Sequence, residues 1–89
     1  MIMLFPMLYD FGDYPFTEVH EKIRAFCREQ GIPFLDLLPA YRKYRAEDLW
    51  VHPIDHHPNE IGHRIAAEEL FSFLESHPDL WPCRAAESP

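Results

Sequence analysis

The sequence predicts an α/β chain, and three observations carry that expectation. The N-terminal run "MIMLF" is apolar without alternation, as in a strand buried on both faces. A second short apolar run, "IPFLDLL", occupies residues 32–38. Between them lies a stretch with apolar residues at helical spacing. Strand, helix and strand with short connections make a βαβ unit, whose crossover is almost always right-handed.

Residues 1–5 form the first strand, and Pro6, which has no N–H to give to a ladder, ends it. "YDFGDYP" is a turn-rich loop around Gly12. Thr17 reads as the N-cap of a helix over residues 16–30, with Glu18 and Glu21 in the turn where the dipole favours acids. Val19, Ile23, Phe26 and Cys27 give that helix one apolar stripe, and Gly31 is placed to stop it. The second strand runs up to Pro39, and "AYRKYRAEDLW" is expected to be a short helix leading into a loop.

Asn59 is a good N-cap for the last helix, residues 60–75. Its apolar face collects Gly62, Ala66, Ala67, Leu70, Phe71, Phe73 and Leu74, with Arg64, Glu68, Ser72 and Glu75 opposite. Ile61 and Ile65 fall toward the polar side. Residues 1–78 read as the ordered part and 79–89 as a proline-rich tail. Two parallel strands and about three helices leave sheet edges open. The chain therefore reads as part of a larger sheet, completed by a partner chain or by self-association.

Eighty-nine residues make one small domain at most, burying roughly 60% of the unfolded surface. A net charge of −7 argues against nucleic acid, because phosphate contacts need clustered Lys and Arg. Arg42, Lys43 and Arg45 sit beside Glu47 and Asp48 as a solvated face. Nothing in the charge pattern points to a membrane. Cys27 and Cys83 lack C-x-x-C spacing and read as free thiols of a reducing compartment. The opening residues have no basic region or cleavage site, so a cytoplasmic protein is expected.

"DHHPNEIGH", residues 55–63, holds the candidate chemistry, and the residue types leave three readings. A metal site could draw on His52, Asp55, His56, His57 and His63, but Pro53 and Pro58 oppose the helix that would align them. No metal or cofactor is expected. A structural reading puts His63 on the apolar face of the last helix as a core histidine, with His20, His52 and His77 at the surface. The third reading is an acid–base pair. Pro58 pushes His57 into an extended conformation, and side chains two apart on an extended segment share a side. Asp55 can then orient the His57 imidazole as a general base, while His56 points away.

The block "DHHPNEIGHRIAAEEL" resembles the last conserved segment of the SGNH (GDSL-type) hydrolases, and "LFPMLYDFGDYPF", "GIPFLDLLPAY" and "LWVHP" are similar to segments that precede it. The resemblance covers about residues 1–75. It implies a partial three-layer α/β/α, flavodoxin-like fold and hydrolysis of a small-molecule ester. His57 would be the general base and Asp55 its orienting partner. The family's Gly-Asp-Ser nucleophile block and its oxyanion-hole Gly and Asn blocks do not occur here. Gly12-Asp13 is followed by Tyr14, and Ser72, Ser76 and Ser88 stand outside any nucleophile turn. The chain is therefore expected to be a C-terminal fragment of such an enzyme, inactive by itself.

Overall fold

The computed structural model describes residues 1–80. The strands are β1 (Ile2–Leu4), β2 (Phe34–Asp36), β3 (Trp50–His52) and β4 (Asp55–Pro58). The helices are α1 (Thr17–Gln30), α2 (Leu38–Tyr41) and α3 (Glu60–Glu75), with 3-10 turns at Phe11–Asp13, Ala46–Leu49 and Pro78–Leu80. Cys83 and the rest of the tail beyond residue 80 lie outside the described residues.

The βαβ unit forms. β1 and β2 pair in parallel, with Met3 opposite Leu35 and Leu4 opposite Asp36. Alternation sends Met3 and Leu35 into the core cluster. The other face presents Phe34 and Asp36 to α1, where Arg24 lies 5.4 Å over the Phe34 ring. Gly31 ends α1 as expected, in the left-handed region at φ 68°, with its N–H on the carbonyls of Cys27 and Arg28. Thr17 is not the cap. It is the first helical residue, its hydroxyl donates to the Tyr14 carbonyl at 3.3 Å, and Phe16 precedes the helix without a side-chain cap.

The described residues thus form a mixed helix and strand structure with three helices and a two-stranded parallel sheet. A three-layer flavodoxin-like arrangement is not shown. Residues 50–58, expected as an extended loop, instead pair as an antiparallel hairpin, Trp50 opposite Pro58 and His52 opposite Asp55. Pro58 is tolerated there because it closes the last strand, where no further donor is needed. The strand pairs form two separate sheets.

The helix faces also depart from the sequence pattern. On α1 the buried residues are His20 and Cys27, whereas Val19 and Phe26 are about half exposed. On α3 Ile65 and Ala66 are buried, but Ala67 and Phe71 are exposed. The buried sector of α3 is turned toward Ile61 and Ile65, because α3 packs on α2, on β4 and on the turn at Ala46–Leu49 rather than on a flat sheet. The core gathers around Leu37, Leu49 and Tyr41, all fully buried. The Tyr41 hydroxyl donates to the Gly62 carbonyl at 2.7 Å, which joins α2 to α3.

Candidate functional site

Asn59 fixes the residues that carry the site. Its side-chain oxygen accepts from the N–H groups of Ile61 and Gly62 at 2.9 and 3.1 Å, capping α3. Its amide nitrogen donates to the carbonyls of Asp48 and Trp50 at 2.9 and 3.1 Å. One side chain therefore ties the helix start to the turn before β3 and to the first residue of β3. Gly62 permits the close approach: a Cβ there would stand 3.0 Å from the Pro58 Cβ.

β4 holds Asp55 and His57 on one side, as expected of residues two apart on an extended segment. His57 Nδ1 lies 2.5 Å from Asp55 Oδ1, and the His57 backbone N–H donates to the same oxygen at 3.1 Å. An ionised carboxylate only accepts, so Nδ1 carries the proton and Nε2 is left bare. The bond from the His57 ring, then that from its backbone, holds the Asp55 carboxyl below its ordinary value. The pair is open to water, with side-chain exposures of 86% for His57 and 48% for Asp55.

The pair borders an open cavity of about 780 Å³. One wall is the segment 5–9, through Phe5, Met7 and Tyr9; the other is the hairpin, through Ile54 to Pro58. Among the described residues that line it, Asp55 is the one carboxylate, Tyr9 has the one hydroxyl, and no Lys or Arg is present. Trp50 Nε1 donates to the Leu8 carbonyl at 2.8 Å and so holds the two walls together.

The other histidines distribute differently from the sequence expectation. His56 points away from the pair, stacked on Trp50 at 3.6 Å between ring centroids, and its Nε2–H donates to the Pro53 carbonyl at 2.9 Å. His63, expected in the core, is exposed and lines the cavity, because the buried sector of α3 is turned away from it. His52 is exposed as expected, and its Nδ1 accepts from the Ile54 N–H at 3.3 Å. His77 is half-buried, stacked on Phe73. Among the described residues no group of three or more His, Cys, Asp or Glu side chains converges to hold a metal ion.

His20 was expected at the surface, and it is a buried polar residue, 3% exposed. It bonds Asp36 and Tyr14, residues 16 and 6 positions away. The apolar stripe on α1 hid it, since His20 borders that stripe on the side that turns inward.

Comparison with known proteins gives little. No family model matches the chain, and no solved structure matches it. A curated protein does match in part: a 4-alpha-glucanotransferase of Aquifex aeolicus (strain VF5), 37% identical over 43 residues. That stretch is 48% of this chain and 9% of the relative's length. The resemblance to the SGNH hydrolases is not upheld. No family model supports it, a protein that matches in part carries another activity in its name, and with it fall the labels of SGNH hydrolase, GDSL-type esterase and catalytic Asp–His dyad. The Asp-x-His-Pro-Asn block has local reasons to exist apart from any family. Asn59 caps a helix, Pro58 closes a strand, and Asp55 bonds the backbone and ring of the residue two positions on. No helix of the described residues is long and apolar enough to cross a membrane.

Proposed function

We propose that the chain presents His57, oriented by Asp55, as a proton acceptor at the mouth of an apolar small-molecule cavity. The observation that carries this reading is the contact from His57 Nδ1 to Asp55 Oδ1 beside that cavity. A ring held with its proton on Nδ1 offers Nε2 as a base to whatever hydroxyl is bound next to it. The cavity volume falls within the range of small-molecule sites, roughly 300–1,000 Å³. With no Lys or Arg among its described lining residues and a net charge of −7, the site disfavours an anion, and its largely apolar lining favours an uncharged ligand. A small ester or alcohol with an apolar body fits that chemistry.

The exposure of the pair bears on its strength. In open water a carboxylate–imidazole pair is worth little, and electrostatic effects grow when water is excluded. The described lining residues include no Ser, Thr or Cys to act as a nucleophile. The base therefore serves a hydroxyl brought by a ligand or by a partner chain. Glycosyl transfer, which the name of the partial relative would suggest, normally uses two facing carboxylates, and only Asp55 is present among the described lining residues.

Ring nitrogen NMR on the 89-residue chain tests the reading, with benzyl alcohol as the added hydroxyl. A saturable shift at His57 Nε2, lost in Asp55→Asn, is expected. Equal shifts at every exposed imidazole, or none, would count against it.

A second reading, a non-catalytic α/β module that completes its sheet with a partner chain, is favoured by a different observation. Val19 and Phe26 lie about half exposed on α1, beside a parallel sheet that has two strands among the described residues. Small-angle scattering of the chain at increasing concentration, alone and with candidate partners, separates a monomer from an assembly.

A further inference from the structure

We propose that the Tyr14 hydroxyl, held by His20 and Asp36, is the positioning group for the cavity wall formed by residues 5–9. The inference rests on the cavity described under the proposed function and adds what holds it open. Segment 5–9 lies beyond β1 and has no strand partner, and Pro6 has no N–H to anchor it. The Met7 N–H instead donates to the Tyr14 hydroxyl oxygen at 2.9 Å. On either side of Met7, Pro6 and Leu8 are buried, and Phe5, Met7 and Tyr9 are left facing the cavity.

The direction of each bond follows from the donor inventory. Asp36 accepts from the Leu38 N–H at 3.0 Å, from Arg24 Nη2 at 2.8 Å and from His20 Nδ1 at 2.9 Å. His20 Nδ1 therefore carries a proton, and Nε2 is free to accept. The single Tyr14 proton goes to His20 Nε2 at 3.0 Å, so the phenol oxygen keeps its lone pairs for Met7. Burial pushes the Tyr14 phenol above its ordinary value, and Asp36 adds to this, against the Met7 bond and Arg42, which act the other way. The phenol stays a donor at neutral pH. α1, β2 and the start of α2 are thereby wired through one hydroxyl to the wall of the site.

Tyr14→Phe tests the proposal because it keeps the ring and its edge contacts with Phe16 and His20 and removes only the hydroxyl. Two readouts are taken on the full chain: hydrogen exchange at the Met7 amide, and binding of the uncharged fluorophore N-phenyl-1-naphthylamine. The expected result is Met7 exchange faster by about tenfold, with the Tyr41 amide unchanged, and a severalfold loss of fluorophore affinity. A merely structural role would instead raise exchange at Met7 and Tyr41 together. If Tyr14→Phe does not fold, His20→Asn, which removes the acceptor of the Tyr14 proton, is expected to raise Met7 exchange selectively. Unchanged Met7 exchange with normal fluorophore binding would overturn the positioning role and leave the cavity standing. Failure of the unsubstituted chain to bind the fluorophore would overturn the cavity, and the positioning role with it.

Discussion

His57 and His20 each set an imidazole Nδ1 against a carboxylate, and almost everything around the two pairs differs. His57 and Asp55 are two residues apart on one strand, with side chains 86% and 48% exposed. His20 and Asp36 come from α1 and β2, 16 residues apart, with side chains 4% and 6% exposed. The exposed pair leaves one ring nitrogen beside a cavity without a partner among the described residues, whereas the buried pair has every ring nitrogen committed. The same two side chains thus form a candidate site in one place and a structural joint in the other. Water decides which: a buried polar group must be fully paired, and a pair with spare capacity is tolerated only where solvent or a ligand can reach it.

Breaking the buried pair should have the largest effect. Asp36→Ala leaves three donors from α1 and α2 without an acceptor, and urea unfolding is expected to show a loss of about 3–5 kcal/mol. That is a large part of the stability of a domain this small.

Asn59→Ala comes next, with an expected loss of about 2 kcal/mol. It removes the cap of α3 and the bonds to Asp48 in the turn before β3 and to Trp50 in the hairpin. It should also loosen Asp55 and His57, seen as a spread of ring resonances that the Asp36 variant, where it folds, does not share.

Breaking the exposed pair should leave stability alone. His57→Ala is expected to unfold at the same urea midpoint as the unsubstituted chain, because both partners already stand in water. A clear drop would mean that the pair is structural after all.

The smallest effect is on pH dependence. Bonding to His57 lowers the Asp55 carboxyl in the folded state, so the contribution of the pair, too small to move the urea midpoint, is present above the ordinary carboxylate range. It is lost as the pH falls through the lowered value. The Asp55 carboxyl carbon shift should hold through the ordinary carboxylate range and move only below it.

The contrast also explains what the sequence made legible. The Asp55–His57 geometry depends on residues two apart and on a neighbouring proline, all local, and it could be read off directly. The cap at Asn59 and the stop at Gly31 are local in the same way. His20 needed knowledge of which side of α1 turns inward, and that is set by Asp36 and Tyr14 in other elements. His63 was misplaced for the matching reason, since α3 packs on α2 and the hairpin rather than on a sheet. The hairpin itself was hidden by two prolines in a stretch rich in polar residues. The family resemblance rested on a block whose members each have a local role, which is why it carried less than its length implied.

The most direct test of the central claim is the tautomer of His57, read from its ring nitrogen shifts at neutral pH in the unsubstituted chain and in Asp55→Asn. The account predicts the neutral ring protonated on Nδ1 in the first, reverting in the second to the mixture of free histidine, in which the Nε2–H form prevails. The free-histidine mixture in both chains would show that Asp55 does not orient the ring, and the proposed proton acceptor would be an ordinary surface imidazole.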